Sequence, residues 1–531
     1  MTKINHITLI GCGFTGTSAF YQLVERYPIS EITIFEASGD FGPGLPYKTD
    51  ECDDYLLNNT NDTLCLTPDN RQAFYNWLLS KPELPDGVEL PEIHPRGNIS
   101  RIYYGYFLKD VFRSTLTTAA IKGIKVNLIS KEATAIFEEG DKVIIKYDTE
   151  EIHCDKVIMC TGHCPTIDRY EHPPEGSNAL YFPDHLNTDA LDHIPMNAEC
   201  YILGASLSAF DVVGRLFSSA TGCSFEYNDD GELIFNAENN DRSVVLCSRS
   251  GRLKKMKSRV TKDINRKYFT LDYLTSIKKD EYLSLNDIAD AIKKDCELHH
   301  GESDWEEIAA PYRNCTSAKD VDACAADILE KDLRTAVDGT ARNILVDIFG
   351  DAGLELWDMF AAKLVSPEDE IKYRNQYETA ALTYEASCPI STAEKLLALY
   401  KVGRLRTIKG SSDVIFDQEN DHYVIHHDFG CDKTNVLINT TGSVSRDVTS
   451  DDQSALIKHM VNNEMMHPYM CGDTQMPGIE FDMDTFKVTG CENIYLSSQL
   501  LWGKGFYTSG AIYMATFVDR ILKSIFNKQK S

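Results

Sequence analysis

The sequence is short of positive charge: 53 Lys and Arg stand against 81 Asp and Glu, a formal net charge of −28. A summed field of that sign repels nucleic acid and anionic membrane surfaces, so neither is an expected partner, and any anionic ligand needs a local basic patch. No uninterrupted apolar run approaches the roughly 20 residues that span a bilayer. The opening MTKINHITLIG has no apolar h-region followed by a small-residue cleavage site, which predicts an unprocessed, cytoplasmic protein. Cys-x-x-Cys is also missing. Sixteen cysteines are spread over 531 residues without one such pair, so a disulfide framework is not expected and the thiols read as reduced and buried. Cys160 and Cys164 in CTGHCP come closest, at a spacing with no strong metal or redox meaning. There is no His-Glu-x-x-His, no spaced Cys/His set and no nucleophile elbow, so no metal is expected and hydrolase chemistry has no sequence basis. His299-His300 and His426-His427 are adjacent pairs, which diverge on a helix or a strand and chelate poorly.

What the chain does have is length and glycine in a telling place. With 43% hydrophobic residues it can bury a large core, and 531 residues predict two or three domains. HITLI, a short β-branched run, leads into Gly11, Gly13 and Gly16, with Phe14 and Thr15 between the last two. Downstream, TSAFYQLVERY places Ala19, Phe20, Leu23 and Val24 on one helical face. SEITIFEAS then gives a second strand ending in Glu36, twenty residues after Gly16. That is a dinucleotide fingerprint: glycines for the tight turn, backbone approach and helix packing, and an acid for the ribose hydroxyls. The pyrophosphate is expected at the helix N-terminus, where free N–H groups and the helix dipole favour negative charge.

Three further segments follow the same logic. KVIMCTGH ends a strand in Thr161-Gly162, TNVLINTTGSVSR repeats this at Thr441-Gly442, and the C-terminal NIYLSSQLLWGKGFYTSGAIYMATF has a strand, a loop and a helix. This ordered set resembles the two-dinucleotide-binding flavoproteins. The resemblance implies an α/β fold of two Rossmann-like domains, with FAD at Gly11, Gly13, Gly16 and Glu36 and the stretch from Gly503 through Gly505, Ser509 and Gly510 near the flavin ring.

A second nucleotide site is expected at AECYILGASLSAFD, where Gly204, Ser206 and Ala209 take the fingerprint positions and Ser208 lies between. A polar hairpin or loop intervenes before the partner strand SVVLCSRSG, which ends in Ser248-Arg249 rather than in an acid. An acid suits a free ribose 2′-hydroxyl and an Arg suits a 2′-phosphate, so NADPH is the inference. Arg249 begins a run to Lys267 with nine basic residues and one acid. Arg249, with Arg252 as a second candidate, is assigned to the phosphate, and the rest reads as a solvated charged loop.

GCGFTG, FGPGLPY, ISRIYYGYFL, TGH, ILGASLSAFD and SRSG together resemble a bacterial family of FAD/NAD(P)-binding proteins, some of whose relatives are similar to amine or amino-acid N-hydroxylating flavin monooxygenases. The implied function is an FAD-dependent, NADPH-using monooxygenase acting with molecular oxygen on a small nucleophilic substrate such as an amine or amino acid. The alternatives are a flavin dehydrogenase or electron-transfer protein, and a non-catalytic FAD-binding sensor or scaffold. In GPGLPY, Gly42 and Gly44 allow backbone approach and Pro46 stiffens a loop over the flavin. Arg101 reads either as an active-site or pyrophosphate contact or as a surface salt bridge. Asn58 and Asn59 read either as amides facing the flavin edge or as Asx-turn residues. The expected division is 1–195, first part of the FAD-binding domain; 196–270, NAD(P)-binding domain; 271–400, a helical insertion over the substrate cleft; 401–445, return strands; and 446–531, the C-terminal part of the FAD-binding domain.

Overall fold

HITLI forms the strand His6–Ile10, in which Ile7, Thr8 and Leu9 are fully buried. Alternation is absent because both faces are covered, as in a central parallel strand. The strand pairs in parallel with Glu31–Phe35 on one side and Lys156–Met159 on the other. Lys125–Ile129 and Ile494–Leu496 complete a five-stranded parallel sheet, with His6–Ile10 in the middle. In the helix Phe14–Arg26, Ala19, Phe20, Leu23 and Val24 are all buried, so the expected face is the packed one. Complete burial of a Phe, Leu or Val side chain contributes roughly 1.5–3 kcal/mol. The C-terminal helix Ala511–Asn527 lies beside it: the Gln22 amide donates to the Ala515 carbonyl at 3.3 Å and Tyr27 stacks on Phe526.

This computed structural model describes residues 4–164, 166–259, 264–299, 305–339, 344–444, 447–505 and 510–527. The chain forms two units. The first comprises Met1–Cys164, Trp357–Ala362 and Ser443–Ser531; the second comprises Pro165–Leu356 and Lys363–Gly442.

The second unit repeats the plan of the first. Its parallel sheet runs Leu405–Lys409, Ser243–Ser248, Glu199–Leu203, Val436–Asn439, Leu180–Phe182, again with the glycine-turn strand in the middle. Each unit also inserts a three-stranded antiparallel meander before the fourth parallel strand to be counted from its glycine turn: Ala135–Glu139, Lys142–Tyr147 and Glu150–Cys154 in the first, Asp413–Asp417, His422–His427 and Gly430–Thr434 in the second. The polar segment after the second glycine turn is a hairpin of Cys223–Tyr227 and Leu233–Ala237.

Between Ser248 and Leu405 the second unit is helical. Ser284 caps Leu285–Leu298 with a full capping box, and Ser317 caps Ala318–Asp338. Val321, Ala325 and Leu329 of that helix, and Leu396 and Leu399 of Ile390–Lys401, share one apolar cluster with the strand residues Val244 and Leu246. These helices therefore build the core of the second sheet.

Candidate dinucleotide sites

The first glycine turn is shaped by contacts that leave no room for side chains. Gly11 has φ +98°, its N–H donates to the Phe35 carbonyl at 2.9 Å, and a Cβ there would lie 2.6 Å from the Cys160 carbonyl oxygen. At Gly16 a Cβ would overlap the Gly11 carbonyl, so the helix can approach the turn only without one. Gly13 caps the helix, and no side chain caps its first turn. An uncapped N-terminus beside such a turn suits a pyrophosphate. Glu36 follows the second strand. Its Oε2 accepts the Cys12 N–H at 2.9 Å, and its Oε1 accepts the Ser38 N–H at 3.1 Å and hydroxyl at 2.7 Å. A carboxylate offers about four acceptor positions, so one is left for a ribose hydroxyl.

The GPGLPY loop is fastened onto this turn. The Gly42 N–H donates to the Cys12 carbonyl at 2.9 Å, and Thr17 donates its hydroxyl to the Gly42 carbonyl at 3.0 Å. Gly44 has φ +66°, and a Cβ on it would come within 2.7 Å of the Gly13 Cα. Pro46 opens the short turn Leu45–Tyr47, and the helix Arg101–Ile121 reaches the Tyr47 carbonyl through Gly105. Arg101 is an anchor for the preceding chain: its N–H donates to the Tyr55 carbonyl at 2.7 Å and its Nε to the Leu56 carbonyl at 3.0 Å. Burial pushes the Tyr47 hydroxyl pKa up, while the Arg101 charge draws it back. Asn59 takes part through its carbonyl, which accepts from the Asn98 amide at 3.0 Å.

At the end of Lys156–Met159, Thr161 has a buried hydroxyl without a hydrogen-bond partner among the described residues, none of which lies within 4 Å of a Cβ at Gly162. An orphaned hydroxyl beside a side-chain-free turn fits a bound cofactor better than a packed core. The C-terminal segment closes on the same strand: the Ser497 N–H donates to the Met159 carbonyl at 2.9 Å, and the Gln499 amide meets the His163 ring at 3.2 Å. Gly503 lies tight against Pro477, and Gly505 lies against the ring of Trp357. Gly510 opens the last helix under the Tyr513 ring; Ser509 lies outside the described residues. Trp357 and Thr17 were not foreseen. Trp357 is one of four tryptophans and sits in a helical pattern assigned to another segment, so only its scarcity signals it. It is buried, stacks on Phe486 at 5.5 Å and has an indole N–H without a hydrogen-bond partner among the described residues.

The second turn repeats the hydrogen bond that shapes the first. Gly204 has φ +121°, its N–H donates to the Cys247 carbonyl at 2.7 Å, and a Cβ would overlap the Thr440 hydroxyl. Since Cys247 stands where Phe35 does, Ser248 stands where Glu36 does. Ser206 is the exposed N-cap of Leu207–Leu216, again without a side-chain cap; Ser208 is half-buried in its first turn, and Ala209 is fully buried at the third glycine's place. The Ser248 hydroxyl accepts the Gly251 N–H at 2.9 Å. Arg249 is exposed, with no side-chain hydrogen bond or ion pair among the described residues. Arg252 is a different case: its guanidinium donates to the Ile308 and Ala309 carbonyls, both at 2.6 Å. The solvated-loop expectation also needs correction, because Leu253, Lys254, Met256 and Ser258 are buried. Apolar neighbours alternate with the charges there and draw the segment inward.

All sixteen cysteines are free thiols. Among the described residues, no group of three His, Cys, Asp or Glu is placed to hold a metal, and no helix is long and apolar enough to cross a membrane.

Residues 8–164 match a protein family described as FAD-NAD(P)-binding, which bears out the resemblance read from the motifs and covers both cofactor types. An uncharacterized protein of Escherichia coli (strain K12), YdhS, is 24% identical over 254 residues, 46% of this chain and 45% of its own length. The match thus spans less than half of that relative. Among solved structures, L-lysine 6-monooxygenase from Pseudomonas syringae aligns over 99% of both chains at 12% identity and TM-score 0.51. Ornithine N-hydroxylase from Kutzneria sp. 744, solved with reduced FAD, NADP+ and L-ornithine, aligns over all of both chains at 12% identity and TM-score 0.50. At that identity the likeness is one of fold: α/β with two dinucleotide-binding-type sheets.

Proposed function

We propose that the chain is an FAD-dependent oxidoreductase that draws electrons from NADPH and inserts one oxygen atom into a small nucleophilic substrate, an amine or amino acid. The observation that carries this reading is the paired construction of the two glycine turns, one followed by Glu36 and the other by Ser248-Arg249. The first suits a dinucleotide with free ribose hydroxyls and the second one with a 2′-phosphate. FAD, when bound, supplies hydride acceptance and dioxygen activation. The chain's own residues then have simple tasks. Gly11, Gly13 and Gly16 leave space for the pyrophosphate at the N-terminus of Phe14–Arg26, and Glu36 accepts a ribose hydroxyl. Gly44 and Pro46 hold the overlying loop, and the Thr161 hydroxyl takes a cofactor polar atom as its missing partner. In the other unit, Gly204, Ser206 and Ser208 receive the NADPH pyrophosphate, and Arg249 its 2′-phosphate.

The expected purified protein is yellow, bleaches with NADPH in the absence of oxygen, and carries one atom of labelled dioxygen into a product when supplied with ornithine, lysine or small primary amines. Bleaching without label in any product would favour the dehydrogenase or electron-transfer reading. Failure of NADPH to bleach bound FAD would leave only a cofactor-binding scaffold.

A further inference from the structure

The basic run beyond Arg249 plays no part in the reading above, yet its stretch from Arg252 to Ser258 is drawn inward, with Leu253, Lys254, Met256 and Ser258 buried. Lys255 donates its N–H to the Thr383 carbonyl at 3.1 Å, and Cys388 donates its own to the Lys255 carbonyl at 2.9 Å, so the segment is held extended inside the second unit. It walls a cavity of about 50 Å³ whose far side is the helix Ala318–Asp338. With about 10–15 Å³ needed per water on this measure, the space suits a molecule of about three to five heavy atoms.

The lining is mixed in chemistry. Leu253, Ile328, Leu329 and Val346 present hydrocarbon, and three cations, Arg252, Lys254 and Lys255, stand with two carboxylates, Glu307 and Asp332. Lys255 is paired with Asp332, so those two cancel. Arg252 and Lys254 are bound to carbonyls, at 2.6 Å in each case, which satisfies donors without matching charge, and Glu307 is the one carboxylate of the lining left beside these two cations. Lys254 is only 9% exposed, and the Leu382 carbonyl is its one hydrogen-bond acceptor among the described residues. An ammonium has three donors, and buried donors are normally matched. Burial lowers the Lys254 pKa to about 8, with Glu385 opposing the shift through space.

We propose that this cavity binds a short aliphatic carboxylate of about two or three carbons, its carboxylate received by Lys254 within the field of Arg252 and its alkyl group by Ile328 and Leu329. A halide or nitrate would leave the hydrocarbon of the lining unused. A neutral amide of the same shape would leave the net positive charge of the lining unmatched. The site is independent of the flavin assignment, because every lining residue belongs to the second unit, and Arg252, the sequence's second candidate for the 2′-phosphate, is held instead by the Ile308 and Ala309 carbonyls.

The test is calorimetric titration of the protein with propionate, propionamide and sodium nitrate at matched ionic strength. Propionate is expected to bind saturably, with the amide and nitrate at least about tenfold weaker, the loss that goes with a charge-assisted hydrogen bond. Lys254→Met should weaken propionate by a similar factor, and Ile328→Phe, which fills the cavity, should remove binding. Equal binding of acid and amide, equal binding of nitrate, or no saturable binding of any of the three would overturn the proposal. If Lys254→Met does not fold, the ligand series on the unmutated protein decides alone.

Discussion

At the scale of single residues, the first glycine turn separates two kinds of glycine. Gly16 has a backbone carbonyl where a Cβ would go, whereas nothing lies within 4 Å of a Cβ at Gly162. Gly16→Ala should therefore cost both FAD content and stability of the apoprotein. Gly162→Ala should leave the apoprotein's melting curve within about 0.5 kcal/mol of the parent while weakening FAD, if the cofactor lies against that open side of the turn. Flavin absorbance per chain, read beside thermal melts of stripped protein, distinguishes the two, and normal FAD affinity in Gly162→Ala would remove that residue from the site. The thiols allow a second check. Burial pushes the Cys160 thiol far above its ordinary range, and Cys431 is the exposed cysteine among the sixteen. Iodoacetamide on the native protein should label Cys431 first and Cys160 only after unfolding, as peptide mass spectrometry would show; prompt labelling of Cys160 would revive a redox role for it. The glycines and Glu36 were legible because their spacing is local. The clamp of Gly44 on Gly13, and the diversion of Arg252 to the carbonyls of Ile308 and Ala309, depend on residues far along the chain and were not.

At the scale of elements, the strand Ser243–Ser248 delivers Ser248 and Arg249 where its counterpart Glu31–Phe35 delivers Glu36. If Arg249 pairs with the 2′-phosphate, Arg249→Ala loses a contact of roughly 1.5–3 kcal/mol, and KM for NADPH should rise by about one to two orders of magnitude with NADH little changed. Equal penalties on both cofactors in steady-state kinetics would show that this strand end does not read the phosphate. Strands of this kind were easy to see in the sequence, because parallel strands buried on both faces are continuous apolar runs. The helices between 271 and 400 were equally visible, their starts marked by Ser284 and Ser317. Their destination was not: periodicity reports that Ala325 and Leu329 face something apolar, and only the folded chain shows that Val244 and Leu246 meet them.

At the scale of the whole molecule, two units with separate parallel sheets predict more than one thermal transition. Calorimetry with FAD at about a hundred times its dissociation constant should stabilise one transition by about 2.7 kcal/mol, and NADPH should act on the other; a single transition moved equally by both ligands would contradict this. The repeated plan has a different consequence for how the chain is made. The sheet of the first unit is unfinished until Ile494–Leu496 pairs with Lys156–Met159, whereas every strand of the second sheet lies between Leu180 and Asn439. Domains usually fold on the ribosome in the order in which they emerge. Here the sheet built on His6–Ile10 keeps its Lys156–Met159 edge open while the later unit is translated and can complete itself. Capture of the first cofactor would then be among the last events of biosynthesis, and a nascent chain stalled before Ile494 would have its second nucleotide fold in place before its first.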